Sequence, residues 1–388
     1  MSRDARPSVC FVAPDAYPVL SGQPDLAHFG GAEVQQVRIA RELVRRGWRI
    51  SFITTDHGQP DGIEHDGIRV YRMCARSAGL PVLRFVHPRW TSLWAAMRRA
   101  DADVYYQRGA GCETGQVALW ARRHGRAFVF AAASDTNCDP DLPDLRTRRE
   151  RVLYRAGLRW ARQVIAQSEW QQAALQRVFG RESVVVRSCA PDPLGGESFT
   201  RTRHDEPHLL WVGRLSPKKR FEFLLELAAA EPARIFDVVG DSSDTAYARA
   251  LTERARALPN VRLHGRVPPD QVRAHYDGAD LVLCTSPVEG FPNTFLEAWA
   301  LGIPTVSTVD PDDLIIRHGL GGAGRTLDEV RQAIAAVLDD PQAWAECSRR
   351  ARAYFLANHT VRVAGDAYER VLRELTAQHG VTAREALA

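Results

Sequence analysis

A chain of 388 residues is long enough for two domains, and its 45% hydrophobic content is sufficient for full cores. The net charge of +4, from 51 basic and 47 acidic residues, argues against nucleic-acid binding. Seven cysteines without a C-x-x-C pair argue against a disulfide framework or structural zinc and predict reduced thiols in a cytoplasm. Residues 1–7 show no signal-peptide pattern. The sequence has no uninterrupted run of 18 apolar residues, so we predict no membrane-spanning helix.

Short apolar strands alternate with amphipathic helices, a pattern typical of parallel α/β sheets. A first set of strands is predicted at 9–13, 49–54, 104–106, 127–131, 163–166 and 183–186. A second set is predicted at 209–212, 235–239, 261–264, 281–284 and 305–307. Residues 192–207 lack periodicity and collect Pro, Gly and Ser, so we predict an interdomain linker there. The last predicted helix, around 365–375, has apolar residues along one face.

Two glycines, Gly30 and Gly31, begin a predicted helix in the first long loop. Glycine at a helix N-terminus lets the backbone approach a ligand closely, and the N–H groups there attract anions. Ligands of open α/β sheets bind outside the carboxyl ends of strands. We therefore expect a ligand near this pair, with a permissive helix start as the plainer interpretation.

Only two of the 51 basic residues are lysines, and both follow one strand end. Gly213 and Arg214 come directly after the strand at 209–212, and Lys218 and Lys219 precede the next helix. An arginine fork grips two oxygens, and lysine adds a compact point charge. This strand–loop–helix therefore predicts a phosphate site.

The segment 286–300 is the most informative in the chain. Glu289 and Glu297 bracket a turn, Gly290 to Asn293, between a buried strand and a helix predicted at 294–301. Free N–H groups at a helix start suit phosphate, and carboxylates accept hydrogen bonds from hydroxyl groups. A diphosphate carrying a sugar at each end needs both kinds of contact.

This segment resembles the Glu-x7-Glu signature of retaining nucleotide-sugar glycosyltransferases of the GT-B fold, family 4. Val212-Gly213-Arg214-Leu215 and Lys219 match a second family motif, although Arg220 stands where the family has glycine. The segments 236–241, 261–267 and 302–305 follow the family's order, and the Gly30-Gly31 pair is similar to its first-domain glycines. The resemblance implies an α/β protein in which two Rossmann-like, doubly wound parallel-sheet domains face a central cleft. It places an N-terminal acceptor-side domain at 1–195, a nucleotide-sugar domain at 207–361, and a helix at 362–388 that crosses back.

The resemblance also assigns roles. Arg214 and Lys219 would neutralise the departing diphosphate in place of a metal. Glu289 would bind the hydroxyl groups of the donor sugar, and Glu297 would bind those of the ribose. The other implied donor contacts are Gly30, Gly31, Gly213, Asp241, Val267, Gly290, Phe291, Pro292, Asn293 and Thr294. The partners would be a nucleotide-diphosphate sugar and a hydroxyl acceptor, with no cofactor, no metal and no nucleic acid. The residues leave the base, the sugar and the acceptor open.

The first domain departs from the family pattern in lacking a histidine near the cleft. Ser134, Asp135 and Asn137 stand after the strand at 127–131, and Gln107 and Arg108 end the strand before it. Each is a candidate acceptor-side contact, and the sequence does not choose among them.

Three alternatives compete with transfer. A Rossmann dehydrogenase needs G-x-G-x-x-G after the first strand, and the glycines at 319–324 come too late and follow no predicted strand. A GT-B-like nucleotide-sugar epimerase needs first-domain carboxylates and histidines around the sugar. A non-catalytic nucleotide-sugar-binding protein would not need all of Arg214, Lys219, Glu289 and Glu297.

One further pattern concerns membranes. Five arginines recur at three- and four-residue steps on a predicted helix: Arg148, Arg151, Arg155, Arg159 and Arg162. A second basic and aromatic patch spans 83–90. Such a surface fits either peripheral contact with anionic lipid at the inner membrane surface or an ordinary solvated face.

Overall fold

A computed structural model describes residues 7–23, 30–81, 83–196, 201–240, 245–268 and 271–385, and side chains in the last helix up to residue 377. The chain forms two compact units, Met1–Cys189 with Val361–Ala388, and Ala190–Thr360. No described helix is both long enough and apolar enough to cross a membrane.

The elements follow in chain order. The strands are β1 (Ser8–Val12), β2 (Arg49–Thr54), β3 (Ile63–His65), β4 (Ile68–Arg72), β5 (Val104–Arg108), β6 (Ala127–Ala131), β7 (Gln163–Ala166), β8 (Val184–Val185), β9 (His208–Val212), β10 (Ile235–Val239), β11 (Val261–Gly265), β12 (Leu281–Cys284), β13 (Thr305–Ser307) and β14 (Gly321–Ala323). The α-helices are α1 (Tyr17–Ser21), α2 (Gly31–Arg45), α3 (Thr91–Ala100), α4 (Cys112–Arg123), α5 (Arg148–Trp160), α6 (Glu169–Phe179), α7 (Phe221–Ala230), α8 (Ala246–Arg256), α9 (Val272–Asp277), α10 (Asn293–Trp299), α11 (Leu314–His318), α12 (Leu327–Leu338), α13 (Pro341–Asn358) and α14 (Val361–Glu385).

The first unit is built on an eight-stranded sheet in the order β3-β4-β2-β1-β5-β6-β7-β8. Val9 and Phe11 of β1 pack into one buried cluster, and Cys10 and Val12 pack into another on the opposite face. This alternation is the period of two that a strand imposes, and burial of both faces is typical of a parallel sheet covered by helices.

The antiparallel pair β3–β4 at the edge of this sheet was missing from the sequence prediction. Asp66 and Gly67, which join the two strands, have φ values of 51° and 75°. Positive φ at both central residues is the requirement of a type I′ hairpin, for which Asp-Gly is a favoured pair. The signal was therefore present, but Ile63–His65 is too short to read as a strand.

The second unit has a six-stranded, all-parallel sheet in the order β11-β10-β9-β12-β13-β14. Strand β14 was also missed, because glycine has low strand propensity. Gly321 has φ 146°, and a Cβ there would lie 1.9 Å from the Thr305 carbonyl oxygen. The late glycine run therefore forms a strand itself, in close contact with β13.

Residues 190–207, which include the predicted linker, belong to the second unit. Asp192 is paired with Arg352, and Arg201 donates to the carbonyl oxygens of Tyr276 and Asp277 at 2.9 and 2.6 Å. The apparent lack of pattern in this segment reflects polar contacts rather than an apolar periodicity.

Candidate active site

The loop after β9 carries the two cations predicted to hold phosphate. Gly213 continues the strand, its N–H donating to the Val239 carbonyl at 3.0 Å. Arg214 is exposed, and Lys219 ends a short helical turn, Pro217–Lys219, directly before α7. The structure therefore brings both cations to the carboxyl end of one strand of the second sheet.

Arg220, at the family's glycine position, takes the left-handed conformation with φ 47°. A side chain in this region costs about 1 kcal/mol or more. Its guanidinium lies over the Phe223 ring, 4.6 Å from the centroid, which offsets part of that cost. The loop thus keeps the glycine-like turn although the glycine has been replaced.

The ends of β9 and β10 approach each other so closely that only glycine fits. A Cβ on Gly240 would lie 1.8 Å from the Gly213 carbonyl oxygen. The Gly240 N–H donates to the Gly265 carbonyl at 2.9 Å, which ties in β11 as well. Asp241, the next predicted donor contact, lies outside the described residues.

Lys219 is positioned by contacts at both of its ends. Its ammonium group donates to the Glu289 carboxylate, and the two side chains are 35% and 20% exposed. Its backbone carbonyl accepts from the Thr285 hydroxyl at 2.6 Å, and that hydroxyl accepts from the Trp211 indole at 3.0 Å. Thr285 and Trp211 therefore hold the lysine loop against β9 and the end of β12, a supporting role that the sequence analysis did not assign.

The predicted turn and helix follow β12, with α10 beginning at Asn293. Gly290, Phe291 and Pro292 are buried, whereas Asn293 and Thr294 are partly exposed. The Phe291 ring lies 5.0 Å from the His359 ring, which anchors the turn in the apolar core of this unit. The turn therefore holds Glu289 at one end and leads into the helix that carries Glu297 at the other.

Glu297 accepts a hydrogen bond from the Tyr276 hydroxyl at 2.7 Å. Tyr276 is 2% exposed, so its ring is fixed and its hydroxyl sets the direction of the carboxylate. Val267 packs at the edge of the same apolar cluster as Tyr276. The two glutamates thus have different partners, a cation for Glu289 and a neutral hydroxyl for Glu297.

Two buried groups precede the turn, Cys284 at the end of β12 and Ser286 just after it. Burial raises the pKa of the Cys284 thiol, and the Glu289 charge acts in the same direction, so the thiol stays protonated near neutral pH. The Ser286 hydroxyl is buried and has no hydrogen-bond partner among the described residues. No group of three or more His, Cys, Asp or Glu side chains could hold a metal ion within the described part of the chain.

The first unit contains a cavity of about 610 Å³ at the carboxyl ends of β1, β2 and β5. Two of the predicted acceptor-side residues, Gln107 and Arg108, line it. Gln107 is fixed by Thr114, whose hydroxyl donates to its Oε1 at 3.0 Å, and Arg108 donates to Gln167 Oε1 at 2.8 Å. Gly30 and Gly31 begin α2, and Glu33 in its first turn reaches the same cavity while accepting from the Gly30 N–H at 2.8 Å.

The remaining acceptor-side candidates do not line this cavity. Ser134 caps the short turn Asp135–Asn137. Asn137 Oδ1 accepts from the Ala133 N–H at 2.9 Å, and Asp135 Oδ1 accepts from Gln171 Nε2 at 2.8 Å. These contacts fold the loop after β6.

Several charged residues of the cavity were not predicted as site residues: Asp15, Arg76, Arg89, Glu113 and Arg149. Asp15 forms an ion pair with Arg76, and burial raises the pKa of Glu113 above its ordinary value. Asp15 comes three residues after β1, and Glu113 comes five residues after β5. A position shortly after the carboxyl end of a strand was therefore the sequence signal that could have identified these two residues as site candidates.

Comparison with known proteins agrees with this architecture. Residues 206–351 match the family "Glycosyl transferases group 1", and residues 30–190 match "Glycosyl transferase 4-like domain". D-inositol 3-phosphate glycosyltransferase of Kineococcus radiotolerans is 27% identical over 93% of this chain and 95% of its own. GDP-mannose-dependent alpha-mannosyltransferase of Mycobacterium tuberculosis is 24% identical over 84% and 89%.

Among solved structures, sucrose-phosphate synthase from Thermosynechococcus elongatus superposes with a TM-score of 0.78 at 18% identity, covering 96% of this chain and all of the other. Two parallel-sheet α/β units with this likeness give the chain the GT-B fold. Among glycosyltransferases of that fold, the chain belongs to family 4, the glycosyl transferases group 1.

Proposed function

We propose that this protein is a retaining hexosyltransferase that moves a sugar from a nucleotide-diphosphate sugar to a hydroxyl group without a metal ion. Its product would enter polysaccharide, glycolipid or other glycoconjugate biosynthesis. The observation that carries the proposal is the Lys219–Glu289 pair on the strand edge that also bears Arg214. Cation, carboxylate and turn backbone at one edge meet the needs of a sugar diphosphate.

The proposed donor contacts divide by chemistry. Arg214 and Lys219 stabilise the charge that develops on the departing diphosphate. Glu289 accepts from sugar hydroxyls, and Glu297, oriented by Tyr276, accepts from the ribose. The polar Ser286 hydroxyl, buried without a described partner, offers a further donor beside them.

The remaining donor contacts are proposed from the backbone. The buried turn around Gly290, Phe291 and Pro292 would bring its N–H groups to the phosphates, as would Gly30 and Gly31. In the first unit, the cavity with Gln107 and Arg108 is the proposed acceptor site. Its mixture of arginines and carboxylates suits a polyhydroxylated acceptor, because hydroxyl groups both donate and accept.

We propose same-face attack as the mechanism. The bond from the anomeric carbon to the phosphate oxygen breaks, the bond to the acceptor oxygen forms on the same face, and the acceptor proton passes to the departing phosphate. The alternative, a protein nucleophile, finds little support in the second unit. The Cys284 thiol is protonated, and Glu289 is engaged by Lys219.

A product assay with UDP-, GDP- and ADP-sugars tests the function. GDP-mannose and inositol 3-phosphate belong in the panel, since the names of two relatives specify them. A glycoside formed together with free nucleoside diphosphate supports transfer. A changed sugar still attached to its nucleotide would indicate an epimerase, and binding without turnover would indicate a binding protein.

We also propose that the protein acts in the cytoplasm and meets the inner membrane surface peripherally through the basic face of its first unit. A lipid-linked acceptor would then be reached without a membrane span.

A further inference from the structure

Three histidines of the second unit, His208, His264 and His275, lie around the carboxylate of Asp237. Asp237 is on β10, the middle one of three strands, with His208 at the start of β9 and His264 near the end of β11. Its side chain is only 14% exposed. Its Oδ2 lies 2.7 Å from His208 Nδ1, and its Oδ1 lies 2.7 Å from His264 Nε2. Two of the histidines therefore connect three neighbouring strands through side chains, in addition to the backbone ladder.

The charge of Asp237 determines which ring nitrogens carry hydrogen. Burial raises the pKa of Asp237, but the hydrogen bonds from His264 and His208 lower it more, so the pKa lies below its ordinary value. An ionised carboxylate only accepts hydrogen bonds. His208 Nδ1 and His264 Nε2 are therefore the donors, and both hydrogen bonds persist whether the rings are neutral or protonated.

His264 is the extra residue of a β-bulge in β11. The register of β10 against β11 shifts between Val238 and Val239, so that His264 faces no residue of β10 in the ladder. A bulge bends its strand and redirects a side chain, and bulges are common beside active sites. Here the side chain of the bulged residue is the one that contacts Asp237.

The bulge leads directly to the proposed phosphate site. Gly265, which follows His264, has φ 69°, and its carbonyl accepts from the Gly240 N–H at 2.9 Å. Gly240 packs so closely against Gly213, the residue before Arg214, that a Cβ would lie 1.8 Å from the Gly213 carbonyl oxygen. The position of His264 therefore affects the strand ends that precede the proposed phosphate contact.

On its other side, the His264 ring contacts α9. Its centroid lies 4.5 Å from that of the His275 ring. The next residue of this helix is Tyr276, whose hydroxyl donates to Glu297 at 2.7 Å. Helix α9 has only six residues, so a displacement at His275 also displaces Tyr276. His264 therefore lies between the strand ends at the proposed phosphate site and the helix that orients Glu297.

We propose that His264 is a positioning residue for the nucleotide-sugar donor. Held by Asp237, it fixes the bulge that supports Gly240 and the helix that directs Glu297. This role rests on the proposed function, in which Arg214 and Glu297 contact the donor. It extends that function, because the contact between two histidine rings makes donor binding sensitive to pH.

Acid should weaken donor binding through the contact between His264 and His275. Burial and the neighbouring His264 lower the pKa of His275, whereas Asp237 acts in the opposite direction. This arrangement therefore favours the neutral form of His275. A His275 released from it would titrate near the ordinary histidine pKa of about 6.5. The arrangement is thus fully favoured above about pH 6.5 and is lost progressively as the pH falls below that value, because two protonated rings in contact repel each other.

The test is the affinity of the full chain for UDP, GDP and ADP, measured by titration calorimetry at about pH 7.5 and about pH 5.5, on either side of the ordinary histidine pKa. H264A removes both contacts of the ring, and the dissociation constant at the higher pH should rise about fivefold or more. H264Q retains an N–H donor for Asp237 and should bind nearly as the unaltered protein does. The matched control is H204A, which removes a separate histidine–aspartate contact of this unit, with Asp280 at 3.0 Å, and should bind normally.

The change of affinity with pH separates a positioning role from a purely structural one. H264Q and H275Q each leave only one ionisable ring in the contact, so their affinities should fall less between the two pH values than that of the unaltered protein. Ionisation of the nucleotide itself is the same in every comparison. Thermal unfolding of each variant shows that the fold is retained.

Unchanged affinity in H264A, an equal loss in H204A, or equal pH dependence in H264Q and the unaltered protein would overturn the positioning role. Nucleotide binding that weakens in H264A without any glycosyl transfer would support this role and refute the proposed transfer. An unaltered protein that binds none of the three nucleotides would refute both.

Discussion

The Lys219 ammonium group donates to the Glu289 carboxylate, although the two residues are 70 positions apart in the chain. Each lies just beyond a strand end, and those strands, β9 and β12, are neighbours in the sheet. Parallel pairing therefore creates the contact, because it brings the carboxyl ends of both strands to one edge. Both side chains are more than half-buried, so removal of either charge leaves the other poorly compensated.

Replacement of the lysine tests the proposed phosphate contact. Lys219→Ala should lower kcat by about 10²-fold or more, because charge on the leaving diphosphate would no longer be neutralised. Arg214→Ala should act in the same way. The matched control is Lys218→Ala, which removes the adjacent exposed lysine and should keep near-normal turnover. Steady-state kinetics of a folded Lys219→Ala enzyme with unchanged kcat would refute the assignment.

The Tyr276 hydroxyl is expected to act through Glu297. Tyr276→Phe removes the 2.7 Å hydrogen bond and retains the buried ring. Loss of a hydrogen bond to a charged group should raise the donor KM about tenfold, with kcat largely kept, since the ribose is remote from the reacting bond. Initial rates over a range of donor concentrations separate the two constants. A fall in kcat with unchanged KM would contradict the proposed contact between Glu297 and the ribose.

Close approach of two strand ends should make Gly240 irreplaceable. Gly240→Ala would put a Cβ 1.8 Å from the Gly213 carbonyl oxygen, and the shift needed to relieve it should cost on the order of 1–3 kcal/mol of unfolding free energy. Donor affinity should fall too, because Gly213 precedes Arg214. Gly278→Ala is the control, since its nearest atom would be 3.8 Å away. Urea unfolding that shows equal stability for both variants would contradict this packing.

Activity should be independent of divalent metals. In the proposed mechanism, Arg214 and Lys219 supply the positive charge that a metal ion supplies in other transferases. Transfer rates in excess EDTA should therefore match those without it, and added Mn²⁺ or Mg²⁺ should not raise them. Loss of activity in EDTA, restored by either metal, would show that the two side chains do not suffice.

The second unit was the more predictable of the two. Its five predicted strands follow apolar runs bounded by turn residues, and the segments with Arg214, Lys219, Glu289 and Glu297 lie at the strand ends where the sequence put them. Strand β14 was missed because glycine has low strand propensity, and the close contact with Thr305 that requires Gly321 is a tertiary property.

The cavity of the first unit was harder to predict. Asp15 and Arg76 lie in two separate loops and Glu113 lies in the first turn of α4, so position after a strand end was the one signal that these residues shared in the sequence. Asn137 is a predicted acceptor-side contact because it is polar and follows a strand, and its side-chain oxygen also accepts a hydrogen bond from the Ala133 N–H within its own loop. Polar residues after strand ends serve either purpose, and only tertiary contacts separate the two.

The anomeric configuration of the product tests the central claim, retaining transfer by charge neutralisation, most directly. With an α-linked nucleotide sugar as donor, same-face attack predicts an α-glycoside, read from the NMR coupling constant of the anomeric proton. Intact-protein mass without acceptor should show no attached sugar. A β-glycoside would contradict retention, and a stable sugar adduct would contradict same-face attack.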